Sequence, residues 1–144
     1  MIVVDSNLLI YSYDADSPHH ARSRGWLEKT LSGTETVGLS WQVISAFLRV
    51  VTNRRLLRSA RPVEEALQTV EEWLAQPNVH VLTPGDYHWA LLRRTILEAG
   101  ASGPLVSDAE LAALTIEHGG ELYTADRDFA RFPGLRWVNP LISA

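Results

Sequence analysis

Aspartates that border short apolar runs are the residues of this sequence that could do chemistry. Asp5 follows the apolar run that opens the chain, Asp126 and Asp128 follow a second run that begins at Glu121, and Asp108 precedes a third. Carboxylate oxygens are the ligands that Mg²⁺ and Mn²⁺ prefer. Such an ion lowers the pKa of a bound water and polarises a phosphodiester. The set therefore predicts metal-assisted hydrolysis of a phosphate ester.

Each of these acids also has an ordinary structural explanation. Asp5 would cap a helix over 7–11. Asp108 would be a first-turn acid favoured by the helix dipole, inside a capping box formed by Ser107 and Glu110. Three separate helix caps are a less economical explanation of these acids than one shared site. Because strand ends in a parallel sheet lie side by side, Asp5 and Asp126 are expected to converge, with Asp108 projecting from a helix start beside them.

Predicted strands and helices alternate along the chain, which indicates a parallel sheet between two layers of helices with right-handed crossovers. Ligands of such sheets bind beyond the carboxyl ends of the strands, where the acids fall. The predicted strands cover 1–4, 36–39, 79–82 and 121–124. The predicted helices cover 7–11, 18–31 after a Ser17 cap, 41–51 after a Ser40 cap, 63–76, 84–99 after a Thr83 cap, and 108–116 after a Ser107 cap.

Composition limits the class of protein. At 144 residues the chain is expected to form one domain, 1–144, large enough to bury a core. It has no cysteine, which excludes disulfides and thiolate chemistry. No apolar run approaches the ~20 residues that span a bilayer, so we expect a soluble, cytoplasmic protein. The formal charge of −4 argues against a general DNA-coating role.

One segment runs against this acidic balance. Five arginines and no acid fall between positions 49 and 61, namely Arg49, Arg54, Arg55, Arg58 and Arg61. Guanidinium groups bind phosphates in bidentate fashion, so the cluster could contact an RNA backbone. It could equally be a solvated loop or a surface for an acidic partner.

Two other features have ordinary structural interpretations. His19 and His20 are adjacent, and neighbouring helical residues point about 100° apart, so surface histidines are favoured over metal ligands. Five tryptophans are expected mostly in the core, with some at an interface with another protein: Trp26, Trp41, Trp73, Trp89 and Trp137.

Taken in order, several segments resemble the PIN-domain ribonucleases and, within them, the VapC-type toxins of type II toxin–antitoxin systems. These segments are 3–7, 47–50, 107–113, 124–129 and 135–141, which together span nearly the full chain. The resemblance implies a three-layer α/β/α sandwich with a central, mainly parallel sheet. It also implies an endoribonuclease that needs Mg²⁺ or Mn²⁺, an RNA substrate, a cognate antitoxin and a homodimer.

Carried over residue by residue, the resemblance assigns the site. Asp5, Asp108 and Asp126 would hold the metal, with Asp128 as a supporting or fourth acid. Two polar residues, Asn7 and Thr124, would orient those carboxylates.

The sequence departs from the family at Ala46, where a glutamate usually stands, and this puts a second metal position in doubt. Gln42, one turn earlier on the same face, could present a neutral oxygen. An ordinary glutamine facing solvent is the simpler interpretation of Gln42. The capping box already accounts for the nearby Glu110.

Two other functions remain open at this point. The loss of an acid at Ala46 allows a PIN-like domain that binds RNA or protein without cutting. A small phosphatase of the haloacid dehalogenase type also uses an aspartate after its first strand. That family requires a second aspartate two residues on, where Asn7 stands, and a lysine for the phosphate, whereas Lys29 is the only lysine.

Overall fold

A parallel five-stranded sheet organises the protein, whose computed structural model describes residues 1–142. All four strand pairs are parallel, in the order β3-β2-β1-β4-β5. The strands are β1 (Ile2–Val4), β2 (Val37–Ser40), β3 (Val79–Leu82), β4 (Glu121–Tyr123) and β5 (Trp137–Val138). With the helical layers on either side, this confirms the predicted α/β/α sandwich.

Six α-helices and a short 3₁₀ helix connect the strands within 1–142. They are α1 (Ser6–Tyr13), α2 (His20–Leu31), α3 (Trp41–Val51), α4 (Val63–Leu74), α5 (His88–Ala99) and α6 (Leu105–Glu117), followed by the 3₁₀ helix Arg127–Arg131. Among the described residues no helix is long and apolar enough to cross a membrane.

The order of the strands places a switch point at the centre of the sheet. From β1 the chain moves outward to β2 and β3, then returns to the other side of β1 for β4 and β5. Ligands of open α/β sheets bind where this reversal occurs, outside the carboxyl ends of the strands. The backbone N–H of Asp5 donates to the Tyr123 carbonyl oxygen at 3.0 Å, so the ends of β1 and β4 are joined at that point.

Close packing on both faces explains the short central strands. Every residue of β1 and β2 is buried, as expected for strands between two helical layers. In β2, a Cβ atom on Gly38 would lie 2.5 Å from Cδ1 of Leu82 in β3. Glycine therefore lets the Leu82 side chain pack directly on the backbone of the neighbouring strand.

Three of the predicted helix caps are wrong. Ser17 lies in a turn ahead of α2, where its hydroxyl oxygen accepts the N–H of His19 at 3.1 Å, and α5 begins well after Thr83. Helix α6 begins at Leu105, so Ser107 lies inside its first turn. In each case the chain makes backbone turns before the helix; at α6, Leu105 and Val106 donate to the carbonyls of residues 102 and 103. These bonds replace the side-chain cap.

The Ser40 cap is confirmed, since its hydroxyl oxygen accepts the Val43 N–H at 3.1 Å. Helix α4 ends at Leu74, two residues earlier than predicted. The sequence analysis had no strand at 137–138, because a two-residue edge strand leaves no periodic pattern to detect.

Candidate active site

Asp5 serves both as a helix cap and as a member of the site. It follows β1, and its Oδ1 accepts the N–H of Ser6 at 2.7 Å at the start of α1. Its side chain is buried, with 8% of the residue exposed. Burial raises the pKa of Asp5, and the carboxylate of Asp126 adds to this. The cap at Asp5 is therefore confirmed, and its role as a metal-holding acid stays a prediction.

A buried hydrogen-bond network fixes the second oxygen of Asp5. The fully buried Thr124 hydroxyl donates to Asp5 Oδ2 at 2.7 Å. The same hydroxyl oxygen accepts the N–H of Asp126 at 3.0 Å and Nδ2 of Asn7 at 3.1 Å. Asn7 also reaches Asp5 Oδ2, at 3.3 Å, and its Oδ1 accepts the N–H of Ala125 at 3.3 Å. Asn7 and Thr124 thus tie the ends of β1 and β4 together and hold the Asp5 carboxylate in one orientation.

Asp108 approaches this network from the first turn of α6. Burial is the main cause that raises its pKa to about 6, followed by the carboxylates of Asp126, Asp5 and Asp128. The guanidinium of Arg131 acts in the opposite direction. Four acids from three parts of the chain therefore share one electrostatic environment, as the sequence analysis expected.

The segment after β4 carries the last two acids. Asp126 caps the 3₁₀ helix, and its Oδ1 accepts the N–H of Asp128 at 2.9 Å. Asp128 is exposed, while Asp126 is half-buried. Among residues 1–142, no three histidine, cysteine or acidic side chains form a group that could hold a metal ion as they stand. Carboxylates of this set contribute to the raised pKa of Asp5 and Asp108, but the acids do not surround a common point.

In metal-free protein, Asp108→Asn is expected to increase stability at neutral pH. The pKa of Asp108 is raised to about 6 in the folded state, above its ordinary 3.8, so its cost to folding appears as the pH rises through this window. A shift of about two units in the pKa of Asp108 corresponds to roughly 3 kcal/mol in the free energy of unfolding. Because the side chain is half-exposed, solvent screening reduces this contribution to about 1 kcal/mol. Urea denaturation in EDTA at pH 7.5 and pH 3.5 measures the difference.

The gain should largely vanish at pH 3.5, where Asp108 is protonated in the folded state and mostly protonated in the unfolded state. Asp86→Asn, at an exposed aspartate in the turn before α5, is the matched control and should change little. A variant that is less stable than the parent at pH 7.5 would contradict the assignment.

Gln42 links α3 to α6 at the edge of the site. Its Nε2 donates to the carbonyl oxygen of Ser107 at 3.0 Å, and the residue is half-buried rather than facing solvent. Ala46, one turn later, is also half-buried. Glu110 is exposed and is not part of a capping box, because Ser107 is not a cap.

The arginine segment lies at the other end of α1 from Asp5. Ser59 donates to Asp14 at the C-terminus of α1, and the Arg61 guanidinium lies 5.4 Å from the centre of the Tyr13 ring. Eight helical residues, about 12 Å, separate this end from Asp5. The exposed side chains of Arg49, Arg54, Arg55 and Arg58 therefore do not surround the acids, and their contact with RNA stays a prediction.

Arg131 is the cation that lowers the pKa of Asp108, and it was not among the residues predicted for the site. The available signal was its position three residues after Asp128, in the same short segment. Within the described residues the histidine pair belongs to no group of three or more histidine, cysteine or acidic side chains that could hold a metal ion. His20 is half-buried and its Nδ1 lies 2.9 Å from the Tyr11 carbonyl oxygen, which joins the start of α2 to α1.

This fold and its acids correspond to a known class of domain. The sequence profile of the PIN domain matches residues 2–135. The chain is 38% identical to Ribonuclease VapC33 of Mycobacterium tuberculosis, over 98% of this chain and 99% of that protein. It is 41% identical to Ribonuclease VapC43 of the same species, over 98% and 96% respectively. The chain therefore belongs to the PIN domain family, among the VapC ribonucleases.

Solved structures agree at the level of the fold. VapBC2 from Rickettsia felis, bound to a DNA fragment from its promoter, aligns with a TM-score of 0.67 at 19% identity, over 96% of this chain and 98% of that one. Mycobacterium tuberculosis VapC20, a toxin that cleaves the sarcin–ricin loop, aligns with a TM-score of 0.65 at 19% identity, over 94% and 99%.

Proposed function

We propose that this protein is a Mg²⁺- or Mn²⁺-dependent endoribonuclease that acts as the toxin of a toxin–antitoxin pair. The observation that carries the proposal is that Asp5, Asp126 and Asp128 lie near enough to Asp108, at the switch point of the sheet, to contribute to its raised pKa. Membership among the VapC ribonucleases supplies the reaction class, which is hydrolysis of an RNA phosphodiester.

The chemistry of the donor set fits a hard divalent cation. Carboxylates dominate the site: burial is the main cause that raises the pKa of Asp108, and the neighbouring carboxylates add to it, with Arg131 in the opposite direction. Asp5, Asp108 and Asp126 would hold the ion, with Asp128 in support. Mg²⁺ commonly keeps several waters and binds a protein through one or two carboxylates. A site without three converged acids, in which Ala46 stands where the family usually has a glutamate, therefore still suits this ion. When bound, such an ion lowers the pKa of a water and stabilises charge on the phosphate.

The residues of the chain have distinct tasks in this proposal. Thr124 and Asn7 hold Asp5 in one orientation, so that the charge is in place before the substrate arrives. Asp108, whose pKa burial and the neighbouring carboxylates raise to about 6 without metal, would be held in its charged form by the bound ion. Arg131 borders the acids, and we assign its guanidinium to a phosphate oxygen of the RNA.

We extend the proposal to two protein partners. VapBC complexes among the solved relatives support a cognate antitoxin that covers the site. Large apolar side chains on α5 support a homodimer, because Trp89 and Leu97 are exposed by 69% and 62%. Exposed aromatic and aliphatic groups of this size are typical of protein interfaces.

A domain that binds RNA or protein without cutting is the second candidate. It is favoured by Ala46 and by the absence, within 1–142, of three acids already arranged around an ion. The phosphatase alternative fails on family membership and on Asn7, whose amide is occupied in the Asp5 and Thr124 network.

Removal of divalent metal separates the two candidates. We expect the purified protein to cut structured RNA with Mg²⁺ or Mn²⁺ and to lose all cutting in EDTA, with recovery when the ion is added back. Gel analysis of end-labelled RNA measures this, beside a calorimetric titration of Mn²⁺ without RNA. A protein that neither binds Mn²⁺ nor cuts would favour the binding domain.

A further inference from the structure

A cavity beside the acidic site has the features of a nucleobase pocket. Its volume is about 460 Å³, and it lies between α1, the start of α2 and the chain after β4 and β5. Ala125 lines it, and this residue stands between Thr124 and Asp126 of the acidic site. The N–H of Ala125 is bound by Asn7 Oδ1, so the network that orients Asp5 also fixes this wall. One wall of the cavity therefore belongs to the segment that carries Asp126.

An aromatic pair forms one side of the cavity. The rings of Tyr11 and His19 have centroids 4.8 Å apart and planes inclined at 42°. Tyr11 is half-buried and His19 is exposed. The bond between His20 Nδ1 and the Tyr11 carbonyl oxygen holds the two segments together. Unstacked RNA bases bind on aromatic faces of this kind, including histidine.

Hydrogen-bond donors form another side. Arg22 Nη1 donates to the carbonyl oxygen of Leu141 at 2.8 Å, which anchors the guanidinium, and its remaining N–H groups have no partner within residues 1–142. Asn139 accepts the N–H of Leu141 at its Oδ1, at 2.9 Å, which leaves its Nδ2 as a donor. A base edge that carries hydrogen-bond acceptors would be complementary to these two donors. Guanine offers O6 and N7 to an arginine, whereas the amino group of adenine would face these donors.

We propose that this cavity binds one base of the RNA, guanine in preference, beside the phosphodiester that the acids hydrolyse. Tyr11 and His19 provide the stacking surface, while Arg22 and Asn139 select the base edge. This inference rests on the proposed ribonuclease activity and adds to it the residues that determine specificity.

Cleavage of randomised RNA with Mg²⁺ or Mn²⁺, with the cut sites read by sequencing, tests the proposal. The parent should show a guanine preference at one position near the cut. Arg22→Gln should lose that preference at that position alone, as should Arg22→Lys, which keeps the charge but not the planar fork. The matched control is Arg24→Gln, on the same helix, where an exposed arginine pairs with Glu28 instead; it should retain the preference.

A synthetic RNA with an abasic nucleotide at the selected position tests the stacking. The abasic substitution and His19→Ala should each lower kcat/KM about tenfold, from the usual contribution of one stacked base. Combined, they should cost no more than either alone, because both remove the same contact. A merely structural role of His19 predicts effects that multiply, and this result overturns the proposal.

The result also separates this inference from the function on which it rests. If the parent cuts and all variants keep its base preference, the pocket assignment is wrong and the ribonuclease stands. If the parent cuts no RNA with either ion, both fail together.

Discussion

Asp5→Asn is expected to lower the rate of metal-dependent RNA cleavage by at least about 10²- to 10³-fold, the range found when one preorganised charge-stabilising group is removed. Asp5 is buried and its carboxylate is held by Ser6 and Thr124. Asparagine is as good a helix cap as aspartate, so α1 should still begin at Ser6. The substitution therefore removes the charge and keeps the cap of α1, while its new Nδ2 replaces the oxygen that accepts from Thr124. Single-turnover cleavage with Mn²⁺, and a Mn²⁺ titration without RNA, measure the two consequences.

Asp16→Asn is the control for charge alone, because Asp16 is an exposed aspartate just after α1. It should cut at the parental rate. If Asp5→Asn cut as fast as the parent while its unfolding curve was unchanged, Asp5 would be only a cap, and the metal assignment would have to be abandoned.

Phe47→Ala should cost about 3–5 kcal/mol in the free energy of unfolding, the range for removal of a fully buried phenylalanine. Phe47 in α3 is 0% exposed. Its ring makes edge contacts with Trp73 of α4, at 4.7 Å between centroids, and with Tyr13 of α1, at 5.4 Å. One substitution thus leaves a cavity where three helices meet. For a chain of this size we expect the melting temperature to fall by roughly 10 °C.

Leu56→Ala is the matched control, since 58% of Leu56 is exposed, and its unfolding free energy should change by less than about 0.5 kcal/mol. Chemical denaturation in EDTA measures both without any contribution from bound metal. A loss at Phe47 no larger than that at Leu56 would show that the three helices do not depend on this ring.

Local patterns in the sequence predict four of the five strands, and they indicate an acidic site that stays a prediction. The apolar runs before Asp5 and Asp126 form β1 and β4, and parallel strands between helices must bring their carboxyl ends to one edge. Asp108 is expected beside them because the helix that carries it precedes β4 along the chain. The Ser40 cap was also predictable, because the hydroxyl and the N–H that it binds lie only three residues apart.

Only the tertiary structure decided how the acids are held and what surrounds them. Thr124 meets Asp5 across 119 residues, and Arg22 meets Leu141 across another 119. The failed caps at Ser17, Thr83 and Ser107 have the same origin, because turns set by the packing of the chain satisfied the helix starts first. Contacts between such distant positions depend on the register of β1 against β4 and on the angle at which each helix packs. Neither the register nor the packing angle produces a periodic pattern in a single sequence. The network around Asp5 and the cavity next to it are therefore set by tertiary packing and could not be predicted from the sequence pattern.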